Sequence, residues 1–156
     1  VENYRRLTRI PTPIRTQISV AELFTDLKKL FPEEEFQFEA PSPELKLNAD
    51  RTQIEQVLIN LLKNAREACN RKLDKNIQVK VKKLSAGNTA LTISDNGEGI
   101  LPDVLDKIFV PFFTTKTSGS GIGLSLCKQI MTLHEGSINV KSEVGKGSSF
   151  ILTFPK

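Results

Sequence analysis

Between Asp50 and Leu73 the apolar residues Ile54, Val57, Leu58, Leu61, Leu62, Ala65 and Ala68 recur at intervals of three and four, the spacing of one face of an α-helix. Asp50, a short side-chain acceptor just ahead of the run, is its N-cap candidate. A helix this long with so wide an apolar stripe must bury it against other elements, so the rest of the chain is read around it. With 156 residues, 38% of them apolar, there is material for one domain with a sizeable core. No apolar run approaches ~20 residues, no charged-then-apolar leader opens the chain, and proline and glycine follow no period. Membrane-span, secretion and collagen readings fail on those grounds, and a soluble, cytoplasmic domain is expected. The start at Val1 rather than methionine predicts a piece of a larger parent, which is itself free to be membrane-anchored.

The two cysteines, Cys69 and Cys127, each lie inside an apolar helical pattern with no second cysteine or histidine at ligand spacing, so both are predicted to be small core residues in a reducing compartment. The net charge of +4 is local: residues 63–83 hold eight lysines and arginines against Glu67 and Asp74. No aromatic residue interrupts that patch to stack bases, so it reads as a solvated helix end and strand face, and no nucleic-acid partner is expected.

Val1–Ile10 reads as the last turns of a helix stopped by Pro11 and Pro13. Ala21, Leu23, Phe24, Leu27, Leu30 and Phe31 then mark an amphipathic helix from Val20 that ends before Pro32. Phe36 and Phe38, then Leu45 and Leu47, alternate with polar neighbours as short strands do. Ile77, Val79 and Val81, a turn at Ala86-Gly87-Asn88, and Leu91 and Ile93 predict a β-hairpin. A short helix over 102–108 and an aperiodic, mobile loop over 111–121 follow. Helix returns over 122–134 with Ile122, Leu126, Ile130 and Leu133 on its core face, and SINVKS and SSFILTF around VGKG close the chain as a second hairpin.

Three clusters at the ends of these elements carry the chemistry. On the long helix, Gln56, Asn60, Asn64 and Glu67 share a polar face opposite the leucines. Asparagine is locally costly inside a helix, and a carboxamide oxygen is a neutral hard ligand suited to Mg²⁺ beside phosphate oxygens. Directly after a strand comes DNGEGI, Asp95 to Ile100, in which Asp-Asn-Gly is a turn signal and Gly99 permits close backbone approach to a ligand, while a strand-end aspartate can accept from an exocyclic amine. The third cluster, Gly119-Ser120-Gly121-Ile122-Gly123-Leu124, opens a helix, where unpaired amides and the helix dipole attract phosphate. Its glycines alternate and follow a loop, unlike a dinucleotide fingerprint, and Lys146 is followed by Gly147, unlike a P-loop.

In this order and at these distances the clusters resemble the nucleotide-binding domain shared by sensor histidine kinases, DNA gyrase, Hsp90 and MutL-type proteins. QVLINLLKNAREA looks like the family's asparagine box, DNGEGI its first glycine box, FVPFFTTK its phenylalanine box, GSGIGLSLCKQIMTLHEGSI its second glycine box, and GKGSSF its last glycine element. The resemblance covers roughly residues 45–155 and is worded like the histidine-kinase branch. It implies an α/β two-layer sandwich of the Bergerat ATP-binding type: a mixed, largely antiparallel sheet with three main helices on one face. It implies ATP and Mg²⁺ as the cofactors, with Asn64 as the metal ligand, Asp95 as the adenine reader, and Gly97, Gly99 and Ile100 around the base. Gly119, Gly121, Ile122, Gly123 and Leu124 would meet phosphates and hinge a lid, which Phe109, Phe112 and Phe113 would support; Lys116 is a candidate phosphate contact. Glu67 stands where the family often has a lysine, leaving Lys63 and Arg66 as candidates for a second phosphate-binding cation.

ATP-hydrolysing relatives carry a glutamate base at the position of Asn60, and an amide cannot take a proton from water. Asn60 therefore implies slow hydrolysis, sparing the γ-phosphoryl for a protein acceptor. His134, the only histidine, sits at a helix terminus and reads as a capping or packing residue. The resemblance places the acceptor histidine on an upstream dimerisation domain, of which residues 1–16 would be the last helix and linker, with the catalytic domain over 17–156. The expected partners are that histidine-bearing domain and a response-regulator receiver domain, the isolated chain being a monomer and the parent a homodimer. A nucleotide-binding module without transfer, and a serine kinase of the anti-sigma type, are the alternatives.

Overall fold

In the computed structural model, residues 10–113 and 123–156 are described. The elements run β1 (Thr16–Ser19), α1 (Val20–Leu30), β2 (Phe36–Phe38), β3 (Lys46–Ala49), α2 (Arg51–Ala68), β4 (Ile77–Lys83), β5 (Thr89–Asp95), α3 (Pro102–Leu105), α4 (Gly123–Leu133), β6 (Ser137–Glu143) and β7 (Gly147–Phe154). Five strands form a sheet in the order β2-β4-β5-β7-β6; only β2 and β4 are parallel, so the sheet is mixed and largely antiparallel, as expected. Helices α1, α2 and α4 pack against β2, β5 and β6. The opposite face exposes Lys80, Lys82, Asn139 and Lys141, so the basic strand face is solvated. Among the described residues no helix is long and apolar enough to cross a membrane.

Asp50 caps α2 as predicted: its extended backbone brings Oδ1 within 3.2 Å of the Gln53 N–H. The helix ends at Ala68 rather than Leu73, because the Cys69 and Asn70 amides turn back to Arg66 and Glu67 and the chain tightens into turns. β1 was not legible, since Thr16–Ser19 carries no alternating apolar pattern of its own; its strand geometry comes from antiparallel pairing with β3, Thr16 opposite Ala49. These two strands form a ribbon outside the main sheet. The short helix stops at Leu105, continuing only as turns.

The buried face of α4 also differs from the expected leucine line. Leu133 is 39% exposed, while Cys127, Ile130, Met131 and His134 are buried, an equally helical spacing that local periodicity does not separate from the first. The choice is fixed by His134: the Asp50 N–H donates to its Nε2 at 3.0 Å, and its Nδ1 meets the Ile130 carbonyl at 2.9 Å. The ring is thus the neutral Nδ1–H tautomer and ties the end of α4 to the cap of α2. Residues 10–15 dock at the same junction, through Ile14 N–H to Asp50 Oδ2 (2.9 Å), Gln53 Nε2 to the Pro11 carbonyl (2.8 Å) and Arg15 Nη2 to the Leu133 carbonyl (3.0 Å).

Candidate functional site

β5 is a central strand, and it delivers Asp95 to its end with a half-buried carboxylate. Burial pushes its pKa above the usual range, against the lowering effect of the Gly97 and Ser148 amides. The Gly97 N–H reaches Oδ1 at 2.9 Å. A carboxylate offers about four acceptor positions, so these two donors leave capacity for an amine.

The loop after Asp95 is wedged between the end of α2 and the β6–β7 turn. A Cβ on Gly97 would lie 2.5 Å from the Ala68 carbonyl oxygen, and the Glu98 N–H caps that same carbonyl at 3.2 Å. Gly99 adopts φ +79°, and a Cβ there would run into the Glu143 carbonyl. On this side the glycines admit neighbouring backbone, which presses the loop against both α2 and the hairpin. Asn96 secures the rest: its Oδ1 accepts from the Asn76 N–H at 2.9 Å, and its Nδ2 donates to the Asp74 carbonyl at 2.8 Å. Cys69 lies fully buried against it, its thiol pKa raised by burial and by the charge of Asp95.

On the polar face of α2, Asn60 and Asn64 are half-buried while Gln56 and Glu67 are exposed. Asn60 Nδ2 donates to Cys127 Sγ at 3.9 Å, and that thiol donates to the Val57 carbonyl at 3.8 Å. Burial pushes the Cys127 thiol up to about 12, so it stays protonated and joins α4 to α2 as a core residue. Asn64 sits one helical turn before Ala68, hence one turn from the carbonyl that receives the Glu98 amide. The asparagine face and the Asp95 loop therefore meet at the last turn of α2. Among the described residues no group of three or more His, Cys, Asp or Glu could hold a metal. A lone carboxamide suits Mg²⁺, which is usually held by one or two protein ligands together with substrate phosphates and water.

The remaining predicted residues are placed unevenly. Phe109 packs on the core edge with Lys128 Nζ 5.4 Å from its ring centroid, whereas Phe112 is 47% exposed at φ +68°. Ile100 and Leu124 pack on the core edge, and Gly123 opens α4 where, among the described residues, nothing lies within 4 Å of a would-be Cβ. Lys116, Gly119, Gly121 and Ile122, with most of the loop expected to be mobile, lie outside the described residues. Arg66, a candidate for the second phosphate-binding cation, pairs with Glu33 at 2.9 Å and covers the rings of Phe31 and Phe36 at 5.0 and 5.4 Å. Lys63 is exposed.

Sequence reasoning missed Ser142 and Ser148, which join the β6–β7 hairpin to the Asp95 loop. The motif GKGSSF pointed towards Ser148, but nothing local marks Ser142, which looks like any polar residue of an edge strand.

Residues 49–156 match the family model described as histidine kinase-, DNA gyrase B-, and HSP90-like ATPase. The sensor histidine kinase ZraS of Salmonella typhimurium is 41% identical over 110 residues, which cover 70% of this chain and 23% of that protein. The chain therefore spans under a quarter of the length of this curated relative. The catalytic domain of the histidine kinase ThkA superposes with a TM-score of 0.79 at 36% identity, covering 91% of this chain and 95% of that domain. A structure of ThkA in complex with the response regulator protein TrrA gives a TM-score of 0.80 at 30% identity, covering 99% of this chain and 46% of that one. The family model, the close sequence relative and the match along almost the whole ThkA domain agree with the geometry around Asp95 and α2: this chain belongs to the histidine kinase-, DNA gyrase B- and HSP90-like ATPases, as a catalytic ATP-binding domain of the sensor histidine kinase type.

Proposed function

We propose that this domain binds Mg-ATP and passes the γ-phosphoryl to a histidine on a dimerisation domain, for onward transfer to a response regulator. The observation that carries the reading is the half-buried Asp95 carboxylate, fixed by backbone donors at the junction with α2 and retaining acceptor capacity. That is the chemistry needed to read the exocyclic amine of adenine. Asn64 would contribute a carboxamide oxygen to Mg²⁺, and Lys116, Gly119, Gly121, Ile122, Gly123 and Leu124 would line the phosphates. The metal ion, when bound with the nucleotide, neutralises phosphate charge. Asn60 cannot activate water, and its amide is turned to Cys127. Residues 1–16 would be the end of the dimerisation helix and the linker, and 17–156 the catalytic domain; the TrrA complex of ThkA supports a receiver domain as partner. We place the domain in the cytoplasm, monomeric alone and homodimeric within its parent.

Asn64→Ala is expected to reduce the gain in ATP affinity provided by Mg²⁺ more than the affinity for metal-free nucleotide, because only the former uses the carboxamide. Calorimetry with and without Mg²⁺ measures both, and equal losses would make Asn64 a structural residue.

Incubated alone with radiolabelled ATP, the chain is expected to acquire no phosphohistidine and to release phosphate very slowly. Both ring nitrogens of His134 are engaged and the side chain is 1% exposed, so it is no acceptor. Adding a separate dimerisation domain with a histidine is expected to give weak acid-labile label on that domain, the effective concentration of a covalent link being absent. Acid-labile label on the chain itself that disappears in His134→Ala would sink this reading.

A further inference from the structure

We infer that Ser142 is a positioning residue for base selection, acting through the proton of Ser148; the inference rests on the proposal that Asp95 reads adenine. Ser142 lies on β6, outside every motif read in the sequence, yet its hydroxyl has three partners. The Ile100 N–H reaches Oγ at 2.8 Å, Oγ lies 3.1 Å from the Gly147 carbonyl, and the Ser148 hydroxyl is 2.8 Å away. A serine hydroxyl has one proton and two acceptor positions. The Ile100 amide can only donate and the Gly147 carbonyl can only accept, so Ser142 gives its proton to Gly147 and receives those of Ile100 and Ser148.

This polarity has a consequence beside Asp95. Ser148 is the register partner of Asp95 on β7, and directly opposed residues present their side chains on the same face of a sheet. With its proton committed to Ser142, Ser148 can offer only lone pairs there, as the ionised Asp95 does. The two together make an acceptor-only floor, which favours a base carrying an exocyclic amine and disfavours one carrying a carbonyl oxygen. Ser142 also anchors the Ile100 amide, while the Gly145 N–H holds the Glu98 carbonyl at 2.9 Å, so the same contacts fix the position of the Asp95 loop.

The test compares the affinities of the chain for Mg-ATP and for Mg-inosine triphosphate, in which oxygen replaces the exocyclic amine. In Ser142→Ala the Ser148 proton is released and can satisfy that oxygen, so the preference for ATP is expected to shrink by about tenfold, the scale of one hydrogen bond. Ser142→Thr keeps the hydroxyl and is expected to keep the preference. Ser148→Ala added to Ser142→Ala removes the released donor and is expected to restore the part of the preference that Asp95 supplies, which a purely structural role for Ser142 would not do. Should Ser142→Ala fail to fold, Ser142→Cys, a much weaker acceptor of similar size, is expected to show the same loss in smaller measure. An unchanged preference in a folded Ser142→Ala or Ser142→Cys, or no recovery in the double variant, overturns the inference alone. Absence of any preference in the unsubstituted chain overturns the Asp95 reading, and this inference with it.

Discussion

Asp95→Asn is expected to weaken binding of Mg-ATP and Mg-ADP by roughly ten- to a hundredfold, the value of a hydrogen bond to a charged group at about 1.5–3 kcal/mol. The substitution nearly preserves shape but puts a donor where the adenine amine needs an acceptor. It also carries a second, opposite signature in the nucleotide-free chain. The carboxyl of Asp95 has its pKa raised by burial, so the folded state holds this proton to higher pH than the unfolded chain does. Its contribution to stability is most favourable below the ordinary carboxylate range and falls as pH rises through that range to the raised value. Asparagine has no such dependence. The stability of Asp95→Asn relative to the unsubstituted chain is therefore expected to rise between acid and neutral pH, while its affinity for nucleotide stays low. Calorimetric titration and thermal unfolding across that range measure the two effects separately. Equal affinity in both proteins would remove Asp95 from the site, and a flat stability difference would contradict its burial as an ionised group.

Gly99→Ala is expected to destabilise the domain by about 2–4 kcal/mol and to abolish tight nucleotide binding. Two costs combine: φ +79° is a backbone region that side chains disfavour, and the new Cβ would overlap the Glu143 carbonyl. For a domain of this size the stability loss corresponds to a fall in Tm of roughly 10 °C. The loop can relieve the overlap only by moving away from the β6–β7 turn. That movement strains the Gly145 to Glu98 and Ile100 to Ser142 hydrogen bonds and shifts the neighbours of Asp95. Gly123→Ala is the internal control for glycine loss, since among the described residues a Cβ there meets nothing within 4 Å, and it is expected to leave stability nearly unchanged. Similar Tm values for Gly99→Ala and Gly123→Ala would show that the loop is not clamped as described.

The sequence was most legible where local physics decides. The stripe from Ile54 to Ala65 required a helix, Asp50 could cap it because a cap needs only its own turn, and the alternation in Ile77–Val81 and Leu91–Ile93 required strands. Asp95 and Asn64 stood out for a related reason: a polar residue ending an apolar strand, or an asparagine inside a helix, is locally costly, and both are half-buried in the fold. The two-layer form and the largely antiparallel sheet were implied by the family motifs, and strand pairing agrees with them.

Choices between locally equivalent options belonged to the tertiary structure. Leu126 and Leu133 compete with Cys127, Met131 and His134 for the core face of α4, and the hydrogen bond from Asp50 to His134, across 84 residues of sequence, selects the second set. Thr16–Ser19 becomes a strand only because β3 is there to pair with it. Arg66 is drawn to Phe31, Phe36 and Glu33, partners that no local pattern around residue 66 marks. Ser142 acquires meaning only where Ile100, Gly147 and Ser148 converge on one hydroxyl. Periodicity and turn chemistry report energies within a few residues. Partners brought together by folding contribute free energies that depend on distance in space, and no local pattern in this chain carries them.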